Sequence, residues 1–463
     1  MFESSWIETA LGTEPPKCRF AHFNRIISDS RKIQPGDCFI AIVGEKMDGH
    51  DYVIQALGKG ASGVIVHKTV PHLDEHLQSA NIYTVNDTLE AYRKLGASWR
   101  AKFDIPVIGI TGSVGKTTSK EILTSLLQGS LNSVLKTIGS QNGFVGIPMT
   151  LLDLRVNHKA AIIEIGIDEI GAMLPHMELV RPTACLLTAI GPEHLEKLKD
   201  VETVAKEELI SLQWTHDHNG VISVNLDDPY ISPHVKSWKK ENVTTFSLTE
   251  STADYFGEWS ESTQTITITD NKGEKTKVKT PLPGIHNARN FLGAFALAKS
   301  LGQNTEKLID GFIHHFENAE GRSRWEHVDQ LGIDVLCDYY NASPVSVGAA
   351  LDVLKSHTAK GKKWVALADM LELGTDELKF HRDLSKKIVG AFSNVLLFGN
   401  RMKSLHEELK HLKFSGENLH FETIEELTTH LKKNIHSGDI CLIKGSRSMK
   451  MERVWKALHE SKS

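Results

Sequence analysis

Apolar positions along this chain come in short runs, each closed by a glycine or polar break and followed by a stretch with helical spacing. In the middle region the runs predict strands at 106–110, 160–164, 184–188 and 220–224, with helices at 116–128, 201–213 and 287–301. Such alternation predicts a mostly parallel sheet with helices on its faces. Ahead of it, Cys38–Val43 follows the turn Pro35-Gly36-Asp37, and Gly63–His67 follows a helical stretch, 52–60. These predict a small α/β module, joined to the middle region by a helix over 88–102. The stretch 244–279 is rich in Thr and Ser and alternates in period two, as in Thr265-Ile-Thr-Ile-Thr269. It predicts an antiparallel β insertion with one polar face. Beyond residue 320, the apolar runs 333–337, 364–368, 395–398 and 440–443 predict a second doubly wound sheet. Ligands of such sheets sit beyond the carboxyl ends of the strands, here Asp338-Tyr-Tyr-Asn341, Asp369-Met-Leu-Glu372, Gly399-Asn-Arg401 and Lys444-Gly-Ser-Arg447.

At 463 residues the chain is too long for one core,. The fold class is α/β in three domains: a small N-terminal α/β module (1–85), a central P-loop parallel-sheet domain with a β insertion (86–318), and a C-terminal Rossmann-like doubly wound domain (319–463).

Composition narrows function by exclusion. The net charge of -5 gives no general electrostatic reason to expect nucleic acid,. No run of 18 apolar residues exists to span a membrane,. Five scattered cysteines show no zinc spacing and suggest a reducing compartment,. Met1-Phe-Glu-Ser-Ser-Trp6 lacks the basic-then-apolar order of a secretory signal, so a cytoplasmic location is expected,. The pair His72 and His76 has ligand spacing but lacks the zincin glutamate, and reads as a solvated segment,.

The chemistry-bearing motif is Thr111-Gly-Ser-Val-Gly-Lys-Thr-Thr118, directly after a predicted strand and opening a helix. Backbone N–H groups of such a turn, with the helix N-terminus, converge on a nucleotide phosphate. Lys116 would reach the terminal phosphates and the Thr117 hydroxyl would hold Mg²⁺. The strict Walker spacing would put a glycine at Ile110, so this loop is a shorter form, Gly112-x-x-Gly115-Lys116-Thr117. Glu164 ends a strand about 48 residues on, where a phosphate-loop protein places its Mg²⁺-holding acid. His194 and Lys206 are ambiguous on their own. A loop histidine is more often structural, and a helix lysine is usually solvated.

Several motifs in register resemble the Mur ligase family. They are Ser28-Asp-Ser-Arg31, Pro35–Ala41, Asp48–Asp51, the phosphate loop, Gly191-Pro-Glu-His-Leu195, Gly284–Asn290, Asp338–Pro344, Ala368–Gly374 and Lys444–Glu452. The last three are similar to the branch that completes the peptidoglycan pentapeptide. The resemblance covers essentially the whole chain. It implies an ATP-dependent amide ligase that activates a UDP-muramoyl tripeptide as an acyl phosphate for attack by D-Ala-D-Ala, and a monomer is expected. By the same resemblance, Lys116 is implied on the ATP phosphates, and Gly112, Ser113, Gly115, Thr117 and Thr118 in their cradle. Thr117 and Glu164 are implied as Mg²⁺ ligands, with His194 and a carbamylated Lys206 near a second Mg²⁺. His286, Asn287 and Asn290 are implied to reach toward the nucleotide, joined by Asp338 and Asn341. Arg322 is implied at the γ-phosphate, and Ser28, Asp29, Ser30 and Arg31 at the UDP moiety. Asn142 is implied at the peptidyl substrate.

Three segments depart from the family pattern. Gly139-Ser-Gln-Asn-Gly-Phe-Val-Gly146 keeps only Asn142 of an asparagine-rich run and has Phe144 where an acid is usual. Gly166-Ile-Asp-Glu-Ile-Gly-Ala172 replaces a Gly-Ala-Asn-His run, and Ala368 replaces a glycine. Another Mur-type amide ligase with a different acid or amine, or a catalytically silent nucleotide-binding regulator, are the alternative readings. Retention of Lys116, Glu164, His194, Lys206 and Arg322 argues against the regulator. The absence of an Asn-Lys-x-Asp guanine motif argues against a GTPase switch.

Overall fold

A computed structural model describes residues 1–460 apart from Arg19, Glu45, Lys236, Ser237 and Lys239, so the last three residues of the expected third domain lie outside the described residues. The chain forms two compact units. One comprises Met1–Gly109, Leu131–Ile165 and Leu174–Thr183; the other comprises Ile110–Ser130, Gly166–Met173 and Ala184–Ser463.

In the first unit the strands Ile26–Ile27, Cys38–Ile40, Gly63–Val66 and Asn81–Thr84 form a parallel sheet in chain order. Cys38, Ile40, Ile65 and Tyr83 pack on one face with Trp6, Tyr92 and Leu95. Phe39, Ala41, Val64 and Val66 pack on the other with Val53 and Ala56. Burial of both faces is why these strands read as unbroken apolar runs. The same unit holds the parallel pair Val134–Lys136 and Ala160–Glu164, with Glu164 at a carboxyl end. The short strand Val134–Lys136 was not expected from the sequence.

In the second unit the strands Ala184–Leu187, Val221–Asn225, Val243–Ser247 and Tyr255–Ser260 follow one another in parallel. Only Thr265–Asp270 and Lys275–Lys279 then continue antiparallel. The expected antiparallel insertion over 244–279 is therefore corrected: its first strands extend the parallel sheet. Two carboxylates hold the short crossover. Asp254 accepts from Thr245 N at 2.8 Å and Thr245 Oγ1 at 2.7 Å, and Asp227 accepts from Leu248 N at 2.9 Å. They satisfy backbone donors that the turn would otherwise strand.

The C-terminal sheet has the order Arg324–Val328, Ile333–Cys337, Ile440–Lys444, Lys363–Ala368, Asn394–Phe398, Glu417–Phe421. All neighbours are parallel except the first pair. The strand latest in sequence thus inserts near the middle. Its carboxyl end, Lys444, lies between those of Ile333–Cys337 and Lys363–Ala368, which lead into Asp338 and Asp369. Strand residues alternate between two cores. Leu336, Val365, Leu367, Val395 and Leu397 face one, and Val335, Cys337, Trp364, Ala366 and Leu396 face the other. Helices cover both sides, as a doubly wound sheet requires.

The helix Lys116–Gln128, which the phosphate loop opens, is braced from behind by Thr305–His315. Their backbones meet at two glycines. A Cβ on Gly129 would lie 1.9 Å from Lys307 O, and one on Gly311 would lie 2.5 Å from Ser125 O. Gly129→Ala should therefore lower stability by about 1–3 kcal/mol, the usual range for overpacking. Gly58, at a helix end with nothing within 4 Å of its ideal Cβ, is the control. Urea unfolding should show a lowered midpoint for Gly129→Ala and an unchanged or slightly raised one for Gly58→Ala.

Candidate active site

The phosphate loop joins the strand Val107–Thr111 to the helix Lys116–Gln128. Gly112 has φ +117° and Gly115 has φ +90°. Both lie in a region where an L side chain is strained. A Cβ on Gly112 would lie 2.3 Å from Thr188 Oγ1, and one on Gly115 would lie 2.6 Å from Asn290 Oδ1. The loop is tied on every side. Ser113 N donates to Ala189 O at 2.8 Å, and Ser113 Oγ accepts from Gly191 N at 3.0 Å. The Thr188 hydroxyl contacts Val114 O at 2.6 Å. Thr117 is buried in the first helical turn, with Thr118 half-buried behind it.

Lys116 turns back on its own loop. Its Nζ donates to Gly112 O and lies 3.4 Å from Glu193 Oε2, with both side chains about seven-eighths buried (13% and 12% exposed). A second carboxylate, Glu208, is fully buried on the helix Val201–Asp217 and accepts from Gly112 N at 2.8 Å. Burial pushes the Glu208 carboxyl up to about 8, opposed by Lys116 and reinforced by Glu193. Burial also raises Glu193, again against Lys116. Neither acid was among the residues expected from sequence. Glu208 left a signal. It lies four residues after Val204 and four before Leu212, both buried, so it occupies the core-facing stripe of its helix,. Lys206, off that stripe, is exposed. Glu193 left none beyond its place beside His194.

His194 caps the short helix Leu195–Leu198 with φ +49°. Its Nδ1 lies 2.5 Å from Glu372 Oε2, and this contact raises the imidazole above its usual range. Glu372 belongs to the turn after the strand Lys363–Ala368. The helix Ile285–Ser300 supplies His286, Asn287 and Asn290 from its first turns. Asn290 is the residue against Gly115 noted above, so it belongs to the loop's wall. Asn287 is buried and donates to Pro283 O at 2.8 Å. Burial pushes the half-buried His286 down to about 4, with Asp338 opposing and Lys444 assisting.

Around the C-terminal strand ends, Lys444 is buried and donates to Asp338 Oδ2 at 2.5 Å and to Asn341 O at 2.9 Å. Asp338 also accepts from Ser323 N at 2.9 Å. Arg322 stacks on Tyr340, its Cζ 4.2 Å from the ring centroid, with Arg447 near the same ring at 5.3 Å. Lys444 was quoted in a motif but not expected as a site residue. It binds Asp338 and Asn341 into one polar cluster with two basic side chains beside it.

The first unit holds the remaining expected residues. Glu164 is buried, accepts from Asn142 Nδ2 at 2.8 Å, and donates its backbone N–H to Thr137 Oγ1 at 3.0 Å. Asp29 caps the turn Ser30–Lys32 and takes the Arg31 guanidinium in two contacts, 2.8 and 2.9 Å. That pairing holds the Asp29 carboxyl down at about 2. Ser30 is buried and Ser28 is half-buried beside them. Of the pair His72 and His76, the first is exposed and the second half-buried.

The arrangement in the second unit suits phosphate chemistry: a glycine loop at a helix N-terminus, a lysine aimed along it, a hydroxyl in its first turn and buried oxygen donors around it. Comparison with known proteins agrees along the whole chain. Residues 22–100 match the Mur ligase family, catalytic domain; residues 110–298 the Mur ligase middle domain; and residues 323–447 the Mur ligase, glutamate ligase domain. The UDP-N-acetylmuramoyl-tripeptide–D-alanyl-D-alanine ligase of Bacillus subtilis is 31% identical, over 94% of this chain and 93% of that protein. The ligase of the same name from Escherichia coli is 31% identical, over 94% of both chains. The crystal structure of MurF from Acinetobacter baumannii superposes with a TM-score of 0.87 at 27% identity, covering 99% of each chain. MurF ligase of Thermotoga maritima in complex with ADP shares the fold, with a TM-score of 0.80 at 24% identity over 94% of this chain and 97% of that one. With three family domains in order and relatives aligned from end to end, the phosphate loop and its acids sit in a chain that belongs to the Mur ligase family.

Proposed function

We propose that this ATP-dependent ligase joins D-Ala-D-Ala to a UDP-N-acetylmuramoyl tripeptide through an acyl phosphate, completing the cytoplasmic peptidoglycan precursor. The observation that carries the reading is Lys116. It lies on a glycine loop against two buried carboxylates, in a chain 31% identical from end to end to ligases named for that reaction. The proposed domain limits are 1–85 for the UDP-substrate module, 86–318 for the ATP-binding domain and 319–463 for the C-terminal domain. The matched family segments are 22–100, 110–298 and 323–447; the second and third lie inside these limits and the first runs past residue 85. The protein acts as a monomer in the cytoplasm in this reading. Among the described residues no helix is long and apolar enough to cross a membrane.

A carboxylate is a poor acyl donor, because its leaving group would be oxide. Transfer of the γ-phosphoryl group to the tripeptide carboxylate changes the leaving group to phosphate and releases ADP. Lys116, with Arg322 from the C-terminal strand ends, neutralises charge on the transferring group. The D-Ala-D-Ala amine then attacks the acyl carbon, the tetrahedral oxyanion expels phosphate, and the amine loses a proton as the amide forms. Gly112, Ser113, Gly115, Thr117 and Thr118 cradle the phosphates in this account. His286, Asn287, Asn290, Asp338 and Asn341 face the rest of the nucleotide. Ser28, Asp29, Ser30 and Arg31 receive the UDP end, and Asn142 lies on the peptidyl side.

Hard oxygen donors at the loop support a place for Mg²⁺ in this reading. Thr117 offers a hydroxyl, and Glu193 and Glu208 bring carboxylate oxygens to the loop. Mg²⁺ favours hard oxygen ligands shared with substrate phosphates. Thr117 and Glu164 would hold one ion, and His194 and a carbamylated Lys206 a second. When bound, the ions would offset phosphate charge during transfer. Lys206 is exposed on its helix, so its amine is open to carbon dioxide. A carbamate would turn that cation into an anionic oxygen ligand.

Lys116→Ala should abolish phosphate release that depends on both substrates; appreciable residual turnover, measured by coupled ADP release, contradicts the role. Lys206→Ala should lose activity that short carboxylic acids partly restore, and a variant at the wild-type rate removes Lys206 from the mechanism. The substrate pair is tested by incubating the chain with ATP, D-Ala-D-Ala and a panel of UDP-muramoyl peptides and weighing the products. No pentapeptide-length product from any tripeptide would overturn the assignment.

A further inference from the structure

Glu372 stands out on three independent counts. It is a non-glycine residue with φ +64°, and its contact partner, His194, has φ +49°. Left-handed backbone at both ends of one side-chain contact is strain on both sides, and such strain gathers at functional sites. The turn that carries Glu372 is over-determined. The Asp369 carboxylate accepts from Met402 N at 2.9 Å and Arg401 N at 3.2 Å. Met370 N donates to His381 Nε2 at 2.9 Å, and Leu371 N donates to Ser446 Oγ at 2.9 Å. Third, the turn docks closely on the loop that holds His194. At Gly374, φ +65°, an ideal Cβ would lie 3.2 Å from Leu195 O. The loop is anchored in its turn by Ile190 N to Asp228 Oδ2 at 2.8 Å and by Gly191 N to Ser113 Oγ at 3.0 Å. A rigid turn therefore presents a carboxylate to a histidine on a rigid loop, three residues along from Gly191, an anchor of the phosphate loop itself.

A carboxylate accepts hydrogen bonds and cannot donate them. In the neutral imidazole the 2.5 Å contact therefore places the ring proton on Nδ1 and leaves the lone pair on Nε2. Metal-ligating histidines are oriented in this way, by a carboxylate on the nitrogen away from the ion. We infer that Glu372 is a positioning residue: by accepting Nδ1–H it fixes the tautomer and orientation of His194 and so commits Nε2 to a divalent cation. The inference rests on the proposed metal role of His194. It adds that the carboxylate comes from the segment matched as the glutamate ligase domain, residues 323–447, whereas His194 belongs to the middle-domain segment, residues 110–298. Cation affinity at the phosphate loop is then tied to docking of the C-terminal turn.

The test uses the full chain with Mn²⁺ and a non-hydrolysable ATP analogue, and needs neither UDP-muramoyl peptide nor D-Ala-D-Ala. In ¹⁵N-histidine spectra at alkaline pH, with His194 assigned by its loss in His194→Gln, the wild type should show the Nδ1–H tautomer. Glu372→Ala should shift His194 toward the Nε2–H form. Glu372→Gln, whose amide oxygen can still accept, should keep Nδ1–H. Free Mn²⁺ read by electron paramagnetic resonance should show affinity reduced about 10-fold or more in Glu372→Ala and close to wild type in Glu372→Gln. Glu372 is more than half exposed, so the variants should unfold at the wild-type temperature. An Nε2–H wild type, or unchanged Mn²⁺ affinity in Glu372→Ala, overturns the inference. Either result leaves product formation from D-Ala-D-Ala standing, and a failure to form that product leaves these two readouts standing.

Discussion

A lysine ammonium buried against two carboxylates is the constraint around which the second unit is organised. Lys116 carries one positive charge, and Glu193 and Glu208 can carry two negative ones, in a pocket water barely enters. Burying ions is costly unless each is paired and hydrogen-bonded. The loop meets that demand with its own backbone: Gly112 N holds Glu208 and Gly112 O receives Lys116. One peptide turn thus serves both signs of charge. Burial raises both carboxyls, Glu208 to about 8, so Lys116 is close to balanced before a triphosphate brings its own negative charge. Lys116 alone cannot balance that sum, so cations have to come from elsewhere. In the proposed mechanism Arg322 supplies one, and divalent ions would supply the rest.

The same reasoning explains why two sheets, rather than one, are needed. The central sheet ends in the phosphate loop and in the loop of Glu193 and His194. The C-terminal sheet inserts its last strand, Ile440–Lys444, between two earlier ones, so three strand ends carry charged groups side by side: Asp338, Asp369 and Lys444. Lys444 and Asp338 bind each other, and Asp369 builds the turn that presents Glu372. The strand order that creates this switch point has no counterpart in local sequence. It follows from which apolar runs pair, a long-range outcome.

Local chemistry was legible and long-range chemistry was not. The phosphate loop could be read because positive φ at Gly112 and Gly115 leaves little choice of residue, and because a helix must start at Lys116. The apolar runs of the C-terminal sheet could be read because both faces are buried. Edge strands such as Arg324–Val328 and Glu417–Phe421 escaped, since their half-exposed residues lack an apolar run. The insertion over 244–279 was misjudged in part because Asp227 and Asp254, which hold its crossover, act across chain separations of about twenty and nine residues. Roles for His194 and Asn290 were expected only through family resemblance; that His194 meets Glu372 and Asn290 meets Gly115 appears only in three dimensions. Glu208 was recoverable, since helical spacing from Val204 and Leu212 marks it as inward, but a glutamate beside a lysine and another glutamate reads as solvent-facing.

The departures from the family pattern also acquire a physical sense. Phe144 stands where the family pattern read from the sequence would have an acid. In the first unit its ring lies 4.6 Å from that of His176 and 5.0 Å beneath the Arg93 guanidinium. Arg93 also donates to Pro175 O at 3.0 Å, and burial lowers its pKa. An aromatic face offers a partly buried guanidinium an electrostatic partner without adding a charge that must itself be solvated. Phe144 therefore holds Arg93 by a cation–π contact that brings no second charge into the site. Asn142, two residues earlier, still reaches Glu164. The segment thus holds Arg93 through an aromatic face and reaches the buried acid Glu164 through the Asn142 amide, so packing and the grip on Glu164 are carried by different side chains.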